Sequence, residues 1–546
     1  MNLVIGPSGK SPVAANVRPA AVTAVVCLAL AAVVAAVSSL NVALPGMARA
    51  THATQTELAW IVDAYSLVFA SLLLPAGAIG DRYGRRLALI AGLLIFGAAS
   101  AVAMTANTAA ELIALRAVMG LGAALVMPAT LSTITGTFAA QQRTRAVSIW
   151  AAVAGGSAIL GLLVSGIVLE IWSWPSVFGL NVVLAAAALM GTVRFVPESA
   201  DRDTPRLDVI GAVLAVIGLV ALVYSIIEAP DRGWLSVRTL CGMAIGVVAL
   251  AGLVIWELTR RAPMIDPRVF AHRGLSAGSL TIFVQFFALF GFIFIVLQYL
   301  QLIRGDSGLV SAVSMLPLPA AMLPAARLAP VLVARLGTMK VGVAGLVLIA
   351  TALVVLAQLT HSSSYWLLAV GLIPLGAGMG LAMTPATSGI TSALPASRQG
   401  VASALNDLSR EVGGAVGIAV LASVLAAGYQ SNLHLPHLPA GLAEKARSSV
   451  AVAAHLGGGV VSQADSAFAN GLHLALLITA GIVIAAAIAV TALLRGHDRL
   501  EEDTKVAAVS ASSAQSLVRS RKPGREGLSD SGMSPASMGV IFSNAR

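Results

Sequence analysis

The sequence predicts an all-α membrane protein whose helices cross the bilayer fourteen times. Two observations carry that prediction. Hydrophobic residues make up 58% of the 546 positions and charged residues 11%, with mean hydropathy +0.90, whereas soluble domains carry about 25% charged residues. The apolar residues are also gathered into stretches of roughly 20, the helix length that crosses ~30 Å of hydrocarbon. The net charge of +10 sits in short loops and a tail and forms no basic face interleaved with aromatics, so nucleic acid is not an expected partner. Cys27 and Cys241 both fall in apolar stretches, which implies neither a disulfide framework nor a zinc site.

The spans are expected at 20–44, 57–79, 87–105, 110–134, 147–170, 176–196, 208–228, 237–258, 276–301, 309–333, 341–359, 366–392, 401–425 and 469–494. Lys10 and Arg18 precede the first, and no convincing cleavage site follows it, so it reads as an uncleaved span. Arginine and lysine crowd the loops that lie inside if the N-terminus is cytoplasmic. The opposite loops hold only Arg49, Arg232, Arg238, Arg304, Lys445 and Arg447, which places both termini in the cytoplasm and the chain in the cell membrane, inner or plasma. Between the second and third spans lies a tight charged turn, Gly77-Ala78-Ile79-Gly80-Asp81-Arg82-Tyr83-Gly84-Arg85-Arg86.

An internal repeat divides the chain. Met127-Pro128-Ala129-Thr130 recurs as Thr384-Pro385-Ala386-Thr387, each after a glycine-rich stretch, and Arg82-Tyr83-Gly84 is echoed by Arg335-Leu336-Gly337. Repeated halves are a common transporter plan, with cargo bound between them near the midplane. The expected organisation is a cytoplasmic segment 1–19, a six-helix bundle 20–196, an inserted pair 208–258 and a second six-helix bundle 276–494. An outer loop occupies 426–468, with a helix-like stretch at Leu442–Ala454, and a polar tail, 495–546, is expected to be disordered.

Ionisable groups inside a span are costly, by roughly 2.5–3.5 kcal/mol on insertion scales, and each is therefore a candidate site. Asp63 lies in span 2, near Tyr65, and is a candidate proton carrier. Arg116 lies mid-span in span 4 and, since a guanidinium does not deprotonate, needs a partner there. Asp407, Arg410 and Glu411 form the densest polar cluster in any span. The two acids are four residues apart on one helix face, and carboxylates that close disfavour being charged together. Gln285, Gln298, Tyr299 and Gln301 give span 9 a polar stripe beside many phenylalanines, a surface suited to bulky lipophilic ligands. His434, His437 and His455 share the outer loop without a carboxylate-rich frame, so neither a metal site nor an enzyme is expected. Gly9-Lys10-Ser11 has the wrong spacing for a phosphate-binding loop.

Taken in order, Asn41-Val42-Ala43-Leu44-Pro45, Trp60 with Asp63-Ala64-Tyr65, the Gly77–Arg86 loop, Arg116 with Gly120, Gln298-Tyr299-Leu300-Gln301 and Ser409-Arg410-Glu411-Val412-Gly413-Gly414 carry a resemblance. The chain resembles the fourteen-span drug–proton antiporter branch of the major facilitator superfamily, the EmrB/QacA type. The resemblance implies the major facilitator fold, two six-helix bundles plus two inserted helices, and proton-driven export of lipophilic or cationic small molecules by a monomer without a cofactor. It ties the position of Arg116 to proton coupling, for which the residues themselves nominate Asp63, Asp407 and Glu411. Gating falls to Asp81, Arg82, Arg85, Arg86, Gly77 and Gly84, with Asp81 expected to dock against the other half when the cytoplasmic side is closed, span 11 near Val341 being the candidate partner. The substrate cavity is assigned to Asn41, Tyr65, Gln285, Gln298, Tyr299 and Arg410. Three positions depart from the family pattern: Ala36 stands where an aspartate is usual, Leu162 where span 5 has a proline, and Pro175 where an arginine follows Trp174.

Overall fold

Fourteen helices in the computed structural model, which describes residues 19–520 apart from 139, 201–207, 261–262, 265, 395–398 and 437, are long and apolar enough to cross a membrane. Spans 1 to 6 are Pro19–Thr51, Gln55–Tyr83, Arg85–Ala103, Ala109–Thr137, Arg145–Ile171 and Pro175–Phe195. Spans 7 and 8 are Val209–Arg232 and Val237–Thr259. Spans 9 to 14 are Arg273–Ile303, Gly308–Leu336, Thr338–Leu356, Tyr365–Ser392, Val401–Asn432 and Gly459–Arg495. His437 and residues 1–18 lie outside the described residues.

Local sequence explains where these helices begin. Thr54 and Thr108 start spans 2 and 4 with reciprocal capping boxes, each threonine accepting from a backbone N–H while Glu57 or Glu111 reaches back to the cap. Glu111 is thereby spent on its own helix end and is not a partner for Arg116. Span 14 starts ten residues earlier than hydropathy suggests. The loop before it is built from two short helices, Ala440–Ser448 and Val450–His455, held where the Tyr429 hydroxyl donates to the Ala446 carbonyl at 2.9 Å.

Repetition in sequence is repetition in packing. Gly84 and Gly337 sit at matching turns with φ of +131° and +89°, a backbone that suits only glycine, and each donates its N–H to close the helix before it. In span 4, Gly120 lets the backbone meet that of Tyr65 in span 2, while Gly122 meets Gly92 in span 3. In span 12, Gly376 meets the backbone of Leu318 in span 10, while Gly378 meets Gly345 in span 11. Small residues at such crossings let helices approach closely where no hydrophobic effect drives them together.

Spans 7 and 8 pack on each other, and span 7 also packs on span 2 and on span 13. Asp208 caps span 7, accepting from the Gly211 N–H at 3.0 Å and from Trp256 Nε1 at 2.9 Å, with Arg260 at 3.5 Å. Burial raises this carboxyl's pKa, but the backbone bond, the indole and the guanidinium outweigh it and hold the group below the usual carboxylate range.

Residues 1–494 form one compact unit and 495–546 a second. The tail expected to be disordered is helical from 495 to Ser520. Leu500, Glu501, Glu502, Lys505, Ala507 and Ala508 are strong helix formers. Residues 521–546 lie outside the described residues.

Candidate functional site

Arg116 is fully buried, and among the described residues its guanidinium forms no ion pair with a carboxylate. Its Cζ lies 4.3 Å from the centroid of the Tyr65 ring, and its Nε donates to the Ile61 carbonyl at 3.1 Å. Both terminal nitrogens, Nη1 and Nη2, are buried without a hydrogen-bond partner among the described residues. The Tyr65 hydroxyl donates to the Val33 carbonyl of span 1 at 3.1 Å. Spans 1, 2 and 4 are thus joined around one cation that keeps two unused donors, a state of high energy unless something acidic comes to it.

Asp63 is also fully buried, and neither carboxyl oxygen meets a donor among the described residues. It lies one helical turn from Ala59, which packs beside Ile227 of span 7 and Ala422 of span 13. The acid therefore shares the face of span 2 that meets the inserted pair and the second half.

Arg410 does what the spacing anticipates and holds both neighbouring acids. Its guanidinium is 2.9 Å from Glu411 and 3.6 Å from Asp407. It also passes 5.9 Å from the Phe286 ring centroid of span 9 and donates to Met127 Sδ of span 4 at 3.8 Å, reaching across to the first half. Phe286 and Phe290 meet edge to face at 5.5 Å. Gly413 lets span 13 reach the backbone of Phe283 in span 9.

The other cavity candidates divide. Asn41 donates to the Val37 carbonyl at 2.9 Å and leaves Oδ1 buried without a partner; Gln298 donates to Phe294 and likewise leaves Oε1 bare. Gln285 is fully buried with both polar atoms unpartnered. Tyr299 turns away from the halves' junction, its hydroxyl donating to the Thr360 carbonyl at 2.7 Å, and it opens a short π-helical segment, Tyr299–Ile303. Gln301 crosses between halves, donating to the Val42 carbonyl at 3.0 Å.

At the charged turn, Asp81 is paired with Arg85 at 2.8 Å rather than with span 11. The Arg85 N–H donates to the Ser199 carbonyl, and Arg86 donates to Glu198 and to the Val193 carbonyl. Gly77 packs on Pro128, and a side chain at Gly84 would strike Glu198. Asp81, Arg85 and Arg86 therefore bond within the first half in this structure. Arg82 lies beside its neighbour's ring, 6.0 Å from the Tyr83 centroid.

Bonds between the halves gather at the end opposite Asp81. Besides Gln301, the Leu309 N–H approaches Glu170 at 3.4 Å, and the Ser449 hydroxyl donates to the Ala53 carbonyl at 3.0 Å. Sequence reading missed the acids there. Glu228 and Asp231 of span 7 accept from Trp60 and Thr56 of span 2. Two acids and a proline closing an otherwise apolar span are the signal that was available.

One of the departures from the family pattern lies beside a tight helix crossing. A side chain at Gly161 of span 5 would meet the Ala35 backbone of span 1 at 2.9 Å, and Ser165 donates to the Ser39 carbonyl. Spans 1 and 5 are in close contact beside Ala36, which is 1% exposed and places an apolar methyl group where the resemblance expects a carboxyl.

Residues 26–418 match the model of the Major Facilitator Superfamily. The methyl viologen resistance protein SmvA of Salmonella typhimurium is 37% identical over 400 residues, 73% of this chain and 80% of that protein. The multidrug efflux pump LfrA of Mycolicibacterium smegmatis is 34% identical over 470 residues, covering 84% and 92%. Among solved structures, the POT family transporter PepTSo superposes with a TM-score of 0.61 at 15% identity, over 89% of this chain and 99% of that one. With this match, the two packed repeats and an inserted pair between them, the chain belongs to the major facilitator superfamily and has the fourteen spans of its drug–proton antiporter branch.

Proposed function

We propose that the protein is a proton-coupled efflux antiporter that exports lipophilic small molecules of the multidrug type by alternating access. The observation that carries the reading is Arg410, which holds Asp407 and Glu411 in a membrane span while touching Met127 of the other half. A cluster with one cation and two acids changes its net charge with each proton taken or released. It sits where a rocking motion of one half against the other would alter its surroundings. In this scheme a proton entering from outside neutralises one acid and releases cargo, and return to the inward state gives the proton to the cytoplasm. Asp63 offers a second carboxyl, and the two free donors of Arg116 offer a place for a transient carboxylate or an acceptor on the cargo. The names of SmvA and LfrA support the substrate class.

The test uses a susceptibility panel in an efflux-deficient host, with and without a proton uncoupler, followed by vesicles with an imposed pH gradient. The reading predicts uncoupler-sensitive resistance to lipophilic compounds and flux that follows the gradient. Flux indifferent to the gradient overturns the coupling. A second reading, export of an endogenous lipid or metabolite by a paralogue with altered coupling, draws on the tight contact of Gly161 with span 1 beside Ala36, where the branch usually keeps an acid. It predicts no change across the drug panel.

A further inference from the structure

We infer that span 7 is a clasp that holds the two halves together at the end opposite Asp81, with Asp231 as its joint. The inserted pair is an addition to two complete six-helix bundles, and its first helix is bonded to both of them. On the side of the first half, Thr56 Oγ1 of span 2 donates to Asp231 Oδ2 at 2.6 Å, and Trp60 Nε1 donates to Glu228 Oε1 at 3.0 Å. On the side of the second half, Gln430 Nε2 of span 13 donates to Asp231 Oδ1 at 2.9 Å. One carboxylate thus takes one bond from each half on its two oxygens.

A proline makes the fourth bond available. Pro230 has no N–H, so the carbonyl four residues earlier, that of Ile226, loses its helical donor. The Ser423 hydroxyl of span 13 donates to that carbonyl at 2.6 Å. Around these bonds, Gln55, Thr56 and Ala59 of span 2 pack with Ile227 of span 7 and with Ala422, Ser423 and Ala426 of span 13. Glu228 is steadied by Arg232 at 3.0 Å, and the Trp60 ring lies 5.7 Å from that of Tyr224. Span 7 ends in a glycine at φ +90°, so the acids stand on the last turn of a helix that stops there.

Any outward opening separates span 2 from span 13 at this end, and both cannot keep Asp231. The clasp therefore sets the balance between closed and open states at this end. The inference rests on the alternating-access reading above, not on the identity of the cargo. Asp231, Thr56, Gln430 and Ser423 are positioning residues: they act on the distance between halves.

The test measures that distance on the full chain. In a Cys241→Ser background, spin labels at Asn107→Cys and Ser362→Cys place one exposed probe on each half at this end, and the protein is held in lipid nanodiscs. Each hydrogen bond removed is expected to raise the ratio of long to short separations about fivefold, a net bond being worth about 1 kcal/mol. Asp231→Ala should shift the distribution most, and Thr56→Val and Gln430→Ala by about one bond each. Asp231→Asn should stay near the parent, since a carboxamide accepts on one side and donates to a hydroxyl on the other. Gln430 lies at the rim, so its variant remains informative if Asp231→Ala does not fold. Unchanged distributions in Gln430→Ala and Thr56→Val overturn the clasp, as does a shift in Asp231→Asn equal to that in Asp231→Ala. Because the readout is a distance, a chain that exports none of the drugs yet opens on loss of Asp231 keeps the clasp and loses only the substrate reading.

Discussion

The guanidinium carbon of Arg116 lies over the ring of Tyr65, 4.3 Å from its centroid, in a site where both side chains are wholly buried. A planar cation on an aromatic face is held by its shape as well as its charge, which a lysine ammonium does not reproduce. Arg116→Lys is therefore expected to lower drug efflux at least tenfold while the protein is still made and inserted. Tyr65→Phe keeps the ring and loses only the bond to Val33, so it should retain most transport and cost about 1 kcal/mol of stability. Efflux of a fluorescent substrate from cells, with expression matched by blot, separates the two. Equal efflux in Arg116→Lys and the parent contradicts the role.

Arg410 serves two acids, and that makes its removal worse than the removal of the whole cluster. Arg410→Met leaves the buried Glu411 and the half-buried Asp407 without their cation, a loss of about 3–5 kcal/mol. Adding Asp407→Asn and Glu411→Gln to that variant should return much of the lost thermal stability. The same two neutralising changes with Arg410 present should abolish flux driven by a pH gradient in vesicles. If the triple variant melts below Arg410→Met, the cluster is not held by charge balance.

Much of this was legible in the sequence, and what was not has a physical cause. Hydropathy places the spans because lipid forces every backbone bond inside its own helix, so each span declares itself locally. The same logic flags Arg116, Asp63 and the Asp407–Glu411 cluster as anomalies. What the sequence does not carry is which residues the anomalies meet. Trp60 and Glu228 are 168 positions apart and Ser423 and Ile226 are 197 apart, and no periodicity links them. Asp81 is bonded to Arg85, one turn along, and the docking expected of it against span 11 belongs to the state closed on the cytoplasmic side. Partners that depend on the conformational state are not written in a sequence, which does not say which state is present. Tyr299 fits a polar stripe by composition, yet its hydroxyl is used on Thr360, because a π-helical turn rotates it.

Gly161 tests the tight crossing of spans 1 and 5. Its hydrogen faces the Ala35 backbone, and backbone cannot move aside as a side chain can. Gly161→Val should push spans 1 and 5 apart and lower the thermal midpoint by several degrees, consistent with the 1–3 kcal/mol typical of overpacking. Gly155 and Gly156, with open space around them, serve as controls, and alanine at either should change the midpoint far less. A Gly161→Val protein as stable as these controls shows that the crossing of spans 1 and 5 does not depend on this glycine.

Asp208 supplies a dependence on pH outside the membrane. Its carboxyl is held below the ordinary range by the Gly211 N–H, Trp256 and Arg260, against the opposing push of burial. A group with a depressed folded pKa stabilises the fold above the unfolded value, near 3.9 for aspartate, and this contribution is lost as pH falls through the lower, folded value. Asp208→Asn should thus melt earlier than the parent at neutral pH, and the gap should narrow on acidification below about pH 4. The carboxamide can still accept from Gly211, so what it loses is the charge that Arg260 and the indole N–H see. Thermal scans of both proteins in the same detergent from pH 3 to pH 7 read this directly, with the gap between midpoints as the quantity of interest. A gap that stays constant across that range would mean Asp208 acts through the shape of its cap and not through its charge.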